Sequence, residues 1–131
     1  MDLPTILVVD DESMVTNMLC MWLELTLNAR ILTSNLPEEA RDILQQEKVS
    51  LLITDYLMPK LNGINLIKGL RNQGNRIPVI LLTGYCNEPE LVAQSEKLAP
   101  FEIMVKPWSN ENLLQRIQYW LQVTGVPSQS L

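Results

Sequence analysis

Residues 6–11 read Ile-Leu-Val-Val-Asp-Asp, an apolar run that ends in two adjacent carboxylates. Three later apolar runs also end in residues that handle phosphate or metal: 51–54 before Asp55, 79–82 before Thr83, and 103–105 before Lys106. Short apolar runs separated by helix-length stretches are typical of buried parallel strands. Ligands bind outside the carboxyl ends of the strands in an open α/β sheet. The residues that follow these four strands are therefore predicted to meet in a single ligand-binding site.

Amphipathic segments alternate with the apolar runs, and the β-α order repeats five times. This alternation predicts an α/β fold with a doubly wound, five-stranded parallel sheet. A second strand is expected over 30–33. Helices are predicted over 13–27 with Ser13 as N-cap, from 37 to about 48, over 63–72, around 89–98, and over 109–123 with Ser109 as N-cap.

The first predicted helix is unusually apolar. We expect one set of its side chains to pack in the core: Met14, Met18, Met21, Trp22 and Leu25. Leu23 and Leu27 add apolar surface elsewhere on the helix, which is more than a helix on a sheet needs. A partner surface or a homodimer surface on this helix is the alternative.

The length of 131 residues is sufficient for one domain with a full hydrophobic core. We assign residues 1–124 to this domain and 125–131 to a tail or the start of a linker, because the tail has linker composition. The sequence shows neither a membrane-spanning stretch nor a signal peptide. Two unpatterned cysteines, Cys20 and Cys86, favour reduced thiols in a cytoplasmic protein.

The net charge and the lack of histidine exclude several classes of function. A net charge of −5 and a pI near 4.6 argue against direct nucleic-acid binding. The chain contains no histidine. It therefore cannot be a phosphohistidine carrier, a Ser-His-Asp hydrolase or a His-ligated zinc enzyme.

The residues at the strand ends favour phosphoryl chemistry. Asp10 and Asp11 would face Asp55 across neighbouring strands, and their mutual repulsion calls for a cation. Oxygen ligands without histidine or thiolate suit Mg²⁺. Lys106 adds an ammonium that binds phosphate, and Thr83 adds a hydroxyl that donates to a phosphoryl oxygen. This set suits transfer of a phosphoryl group onto Asp55.

Over residues 4 to about 124 these motifs resemble the receiver domains of the response-regulator family. The matching features are the Asp10-Asp11 pair, Asp55 followed by Met58-Pro59 and Gly63, Thr83-Gly84, and Lys106-Pro107. The resemblance implies a flavodoxin-like (βα)5 fold with strand order 2-1-3-4-5.

The same resemblance implies the roles of the site residues. Asp55 would be the phosphoacceptor, with a histidine kinase or phosphotransfer protein as donor and an output domain or protein partner as the reader. Mg²⁺ would be held by Asp11, Asp55 and the backbone carbonyl of Leu57, with Asp10 acting through water. The Lys106-Pro107 peptide would be cis. Such a protein catalyses only its own phosphorylation and dephosphorylation, and it is otherwise not an enzyme.

One departure from the family pattern leaves alternatives open. Receivers usually carry an aromatic residue three positions before the lysine, where this chain has Ile103. A receiver-fold interaction module without a working phospho-switch is therefore the second hypothesis. A Mg²⁺-dependent phosphatase is the third. It is disfavoured because Leu57 stands where such enzymes carry a second aspartate.

Overall fold

A computed structural model describes residues 3–56, 63–84, 97–105 and 107–123 of the chain. These residues form a five-stranded sheet flanked by four helices. The strands are β1 (Thr5–Val9), β2 (Arg30–Ser34), β3 (Leu51–Asp55), β4 (Val79–Thr83) and β5 (Phe101–Val105). The helices are α1 (Ser13–Thr26), α2 (Pro37–Gln46), α3 (Gly63–Asn72) and α4 (Asn110–Val123).

All the strand pairs are parallel, and the strand order is β2-β1-β3-β4-β5. Both the predicted fold class and the strand order implied by the family resemblance are confirmed. The register aligns the carboxyl ends, since Val9 lies opposite Thr54 and Thr83 lies opposite Val105. The chain therefore leaves β1, β3 and β4 at the same edge of the sheet.

The core consists of two layers, one on each face of the sheet. Alternate residues of β1 point to opposite faces. Leu7 and Val9 join the layer under α2 and α3, whereas Ile6 and Val8 join the layer under α1 and α4. Because helices cover both faces, β1, β3 and β4 are buried along almost their whole length.

Helix α4 is held to the edge strand β5 by a polar cluster. The carboxylate of Glu102 accepts hydrogen bonds from Nε of Arg116 at 2.8 and 2.9 Å and from Nε1 of Trp120 at 2.6 Å. The guanidinium of Arg116 also lies 4.5 Å from the centre of the Tyr119 ring. These contacts orient the strand that leads to residue 106.

The two predicted N-caps differ in outcome. The Ser109 hydroxyl accepts a hydrogen bond of 3.0 Å from the backbone N–H of Asn112, which confirms Ser109 as the N-cap of α4. The prediction for Ser13 is wrong. Glu12 occupies the capping position without a side-chain cap, and Ser13 is already helical because the carbonyl of Glu12 accepts from both Val15 and Thr16.

Two further expectations fall partly or wholly outside the described residues. The helix predicted around 89–98 is described only at its end, where Leu98 is buried in a turn. The expected cis peptide involves Lys106, which is not described. A cis prolyl bond does occur between Ala99 and Pro100, just before β5.

The prediction of which face of α1 packs in the core is wrong. The side chains of Met14, Met18, Met21 and Leu25 are exposed by 81, 67, 65 and 87%, whereas Leu19, Leu23 and Leu27 are buried. Trp22 follows the prediction, because it is partly buried against the core layer under α1 and α4. The helix carries two apolar stripes, and the sheet can cover only one of them.

None of the helices in the described residues is long and apolar enough to cross a membrane.

Candidate metal and phosphoryl site

Three carboxylates meet at the carboxyl edge of the sheet. One oxygen from each of Asp10, Asp11 and Asp55 lies within 4.8 Å of the others. Asp10 and Asp11 directly follow β1, and Asp55 ends the neighbouring strand β3. Asp10 is buried, Asp55 is half-buried and Asp11 is exposed. The structure thus brings together the acidic residues that the sequence singled out.

Hydrogen bonds with backbone groups of Glu12 and Ser34 hold Asp10 in place. Its Oδ1 accepts a hydrogen bond of 2.9 Å from the backbone N–H of Glu12, and its own N–H donates to the carbonyl of Ser34 at 3.1 Å. These contacts tie Asp10 to the start of α1 and to the end of β2. The Asp10 carboxylate is therefore positioned by the fold before any ligand binds.

Sequence reasoning missed a contribution from Asn35. Its Nδ2 donates to the carbonyl of Asp10 at 2.9 Å and to the hydroxyl of Thr16 at 3.0 Å. The Thr16 hydroxyl in turn donates to the carbonyl of Ser13 at 3.1 Å. Asn35 thereby joins the loop after β2 to the first turn of α1. Its partners are 25 and 19 positions away in the chain, so no local sequence pattern indicates this role.

Asp55 is set in a tightly packed backbone environment. Its Oδ1 accepts from the N–H of Tyr56 at 3.0 Å, and its carbonyl accepts from the hydroxyl of Thr54 at 3.1 Å. Gly63, the first residue of α3, donates its N–H to the carbonyl of Tyr56 at 2.7 Å. A β-carbon at Gly63 would lie 2.5 Å from the carbonyl oxygen of Asp55. The start of α3 is thus pressed directly against the backbone of Asp55.

Thr83 ends β4, on the opposite side of β3 from the aspartate pair. It is buried, and it pairs with Val105 of β5. Lys106 follows Val105 in the chain, but Lys106 and Leu57 both lie outside the described residues. Their places in the site remain predictions.

Ile103 is partly buried and packs in the core layer under α2 and α3. It pairs with Leu81, two residues before Thr83. Phe101 packs in the same layer, as expected for residues two positions apart on a strand. The aromatic ring therefore lies at the beginning of β5, at the opposite end of the strand from the carboxylate cluster.

The donor set fits a hard divalent cation. All three carboxylates supply oxygen, and among the described residues the cluster includes no nitrogen or sulfur ligand. Mg²⁺ is usually held by one or two carboxylates together with waters and a phosphate group. The half-buried and exposed members of the cluster leave room on the solvent side for such ligands.

Residues 6–118 match the family described as the response regulator receiver domain. The chain belongs to this family. It is 35% identical over 113 residues to the transcriptional regulatory protein CpxR of Escherichia coli, covering 86% of this chain and 47% of CpxR. It is 29% identical over 122 residues to the hydrogenase transcriptional regulatory protein HoxA of Cupriavidus necator, covering 93% of this chain and 25% of HoxA.

Solved structures agree with the family assignment. The receiver domain of the Francisella response regulator 1452 superposes with a TM-score of 0.82 at 26% identity, covering 92% of this chain and 98% of that one. The chemotaxis protein CheY4 of Vibrio cholerae superposes with a TM-score of 0.81 at 26% identity, covering 91% and 99%.

This receiver chain corresponds to one part of its larger relatives. It spans about half the length of CpxR and about a quarter of HoxA. Family membership makes it a signalling module of the two-component type. CpxR and HoxA are named as transcriptional regulatory proteins, and each is longer than the part that this chain matches.

Proposed function

We propose that this receiver accepts a phosphoryl group on Asp55 from a histidine kinase or phosphotransfer protein. The modified domain then changes its interaction with an output domain or a protein partner. The observation that carries this proposal is the convergence of the Asp10, Asp11 and Asp55 carboxylates within 4.8 Å at one edge of the sheet.

Asp55 is the member of the cluster best suited to be the nucleophile. Asp10 is buried, whereas Asp55 is only half-buried and can meet an incoming phosphoryl donor. Asp11 is exposed and lies beyond the end of β1. Asp55 ends β3, between the aspartate pair after β1 and Thr83 at the end of β4. A phosphoryl group on Asp55 would therefore have carboxylates on one side and a hydroxyl on the other.

The transfer requires little covalent chemistry from the protein. A carboxylate oxygen of Asp55 attacks phosphorus, the bond from phosphorus to the imidazole nitrogen of the donor breaks, and the imidazole leaves. Asp11, Asp55 and the Leu57 carbonyl would hold Mg²⁺, with Asp10 acting through water, and the ion would neutralise charge at the transferring oxygens. Lys106 contributes a second positive charge, and the Thr83 hydroxyl donates to a phosphoryl oxygen.

The identity of residue 103 favours a second candidate function. Ile103 supplies packing in the core but has no aromatic ring that could follow a movement of Thr83. The second candidate is a receiver-fold module that binds a partner without a working phospho-switch. Such a module would have the same surface and the same core as a switching receiver. The two candidates differ in whether phosphorylation changes the domain.

The first experiment tests transfer itself. Incubation with acetyl phosphate and Mg²⁺, or with a phosphorylated kinase, should add one phosphoryl group to the wild-type chain in intact-mass measurement. Asp55→Asn should remain unmodified. Asp42→Asn, at an exposed aspartate on α2 that does not belong to the cluster, is the matched control and should be modified like the wild type. An Asp55→Asn protein that still gains the mass of one phosphoryl group would contradict the proposal.

A second experiment separates the two candidates. Beryllofluoride with Mg²⁺ mimics the acyl phosphate and should alter amide hydrogen exchange along β4 and β5 in the wild type. Unchanged exchange and unchanged oligomeric state despite bound beryllofluoride would favour the interaction module. Steady hydrolysis of a phosphate ester by Asp55→Asn would instead revive the phosphatase hypothesis.

A further inference from the structure

The outer face of α1 carries an apolar stripe that nothing in the described residues covers. The stripe consists of Met14, Met18, Met21 and Leu25, which are exposed by 81, 67, 65 and 87%. We call these four residues the α1 stripe. It accounts for half of the large apolar side chains that are exposed in the described residues.

The α1 stripe lies on the side of the helix away from the sheet. At about 100° per residue, its four members fall within roughly 60° of one another, and the buried residues Leu19 and Leu23 lie on the opposite side. A helix that is apolar on opposite sides is normally buried on both. The domain's own sheet covers one side of α1, so the other side calls for a separate partner.

The spacing of the stripe matches the surface of a second copy. Its intervals are four, three and four residues, which is the seam spacing of paired helices. The pattern is also symmetric about its midpoint. When two copies of α1 run antiparallel, Met14 faces Leu25 of the second copy and Met18 faces Met21. A two-fold axis therefore brings the whole stripe onto itself, as an isologous interface requires.

Charge complementarity favours the antiparallel arrangement. Glu24 is the only charged side chain in α1, and the first turn of the helix contains no acidic residue. In the antiparallel pair, Glu24 lies beside the first turn of the other helix, where the helix dipole is positive. In a parallel pair, each Glu24 would lie beside the last turn of the other helix, where the helix dipole is negative.

We propose that α1 is a homodimer interface, in which two copies pair antiparallel through the α1 stripe. The four side chains offer on the order of 300–500 Å² of apolar surface per copy. A standard interface buries about 800 Å² per partner. The dimer is therefore weak and concentration-dependent, with a dissociation constant of about 1 µM or weaker.

Sedimentation of the 131-residue chain, from about 1 µM to about 1 mM, tests the dimer. The wild type should pass from monomer to dimer within this range. Met18→Glu and Met21→Lys should both raise the dissociation constant at least tenfold, because each places a charge in the apolar seam. Tyr119→Glu, at an exposed aromatic on α4, is the control and should dimerise like the wild type.

Thermal unfolding of the same proteins verifies that each variant remains folded. Added NaCl should tighten the wild-type dimer, because it screens the repulsion between two chains of net charge −5. A chain that stays monomeric across the whole range overturns the proposal and leaves the stripe to a different protein. A dimer that Tyr119→Glu abolishes and Met18→Glu preserves also overturns it.

Crosslinking tests the orientation, in a background of Cys20→Ser and Cys86→Ser. Met14→Cys and Leu25→Cys proteins, treated with a short bismaleimide, should crosslink when mixed but not when treated separately. In the antiparallel pair, the two copies of residue 14 are about 16 Å apart along the helix axis. Crosslinking of each protein with itself, without a mixed product, would show a parallel pair and refute the antiparallel dimer.

Discussion

At the scale of single residues, Gly63 shows how closely the site is built against the backbone. A β-carbon at this position would lie 2.5 Å from the carbonyl oxygen of Asp55 and 2.7 Å from Cδ1 of Leu81. Neither distance is compatible with ordinary van der Waals contact. The carbonyl oxygen belongs to the backbone of a central strand, so it cannot move aside as a flexible side chain would. Gly63 therefore allows α3 to begin directly beside the proposed phosphoacceptor.

We expect Gly63→Ala to lower the free energy of unfolding by about 2–3 kcal/mol, because the added methyl group overpacks this contact. Gly69→Ala, in the same helix, is the matched control. No atom lies within 4 Å of a β-carbon there, so the substitution should stabilise the protein by about 0.5–1 kcal/mol through helix propensity. Urea unfolding of the two variants measures both values. Equal effects at the two positions would show that the contact at Gly63 has been overestimated.

At the scale of secondary-structure elements, the two serine caps allow a direct comparison. We expect Ser109→Ala to cost about 1 kcal/mol of stability, because the backbone N–H of Asn112 loses its acceptor at the start of α4. Ser13→Ala should change stability by less than about 0.5 kcal/mol, since α1 has no side-chain cap. Thermal unfolding of both variants provides the measurement. A loss at Ser13 as large as that at Ser109 would contradict the observed cap geometry.

The junction between α3 and β5 depends on Arg71. Its guanidinium donates three hydrogen bonds of 2.9 Å to the carbonyls of Leu98, Asn75 and Pro100. Burial, together with the nearby charge of Arg76, lowers the pKa of Arg71 to about 10. The group therefore stays charged at neutral pH, and it holds the start of β5 against the end of α3. The Pro100 carbonyl also accepts from the N–H of Val79, which connects the same junction to β4.

Arg71→Met keeps the aliphatic stem but removes all three donors. We expect a loss of about 3 kcal/mol or more, because bonds to charged donors are stronger than neutral ones and the carbonyls are left without them. Amide exchange over 98–105 should accelerate. Arg76→Met is the control, since Arg76 is exposed and, within the described part of the chain, donates one long hydrogen bond of 3.4 Å to the Ala99 carbonyl. Similar exchange rates in the two variants would show that Arg71 does not anchor β5.

At the scale of the whole molecule, the carboxylate cluster links metal binding to folding. Folding brings Asp55 close to the adjacent pair Asp10 and Asp11, so the three carboxylates repel one another more strongly in the folded chain than in the unfolded chain. A divalent cation that binds only the folded state stabilises it by mass action, by about 2.7 kcal/mol at a hundredfold excess over the dissociation constant. Metal binding should therefore be visible in global stability.

We expect Mg²⁺ to raise the unfolding temperature of the wild type. Asp11→Asn should be more stable than the wild type without metal, because one repulsive charge is gone, and it should respond much less to Mg²⁺. Asp42→Asn, on the exposed surface of α2, serves as the control and should respond like the wild type. Differential scanning calorimetry with and without Mg²⁺ distinguishes these cases. An equal response to Mg²⁺ in Asp11→Asn and the wild type would exclude Asp11 as a ligand.

The parts of the fold that follow from local pattern were predictable from the sequence. The apolar runs predicted the strands, and the parallel arrangement then required residues such as Asp10 and Asp55 to meet at one edge. The Ser109 cap was also predictable, because a cap depends on residues only three positions apart. In each case the physical cause lies within a few neighbouring residues, or within a rule that holds for every parallel sheet.

Other features were decided only by the tertiary structure. Both stripes of α1 have helical spacing, and only its docking on the sheet determined that Leu19 and Leu23 are buried while Met18 is exposed. The contacts of Asn35 with Asp10 and Thr16, and those of Arg71 with Leu98 and Pro100, join residues 19 to 29 positions apart, so no local pattern marks them. The sequence by itself determined the sheet, its order of elements and the carboxylates at its edge, because these depend on local periodicity. The tertiary structure determined which helix face remains exposed and which distant polar groups hold the site, because each depends on how separate elements pack.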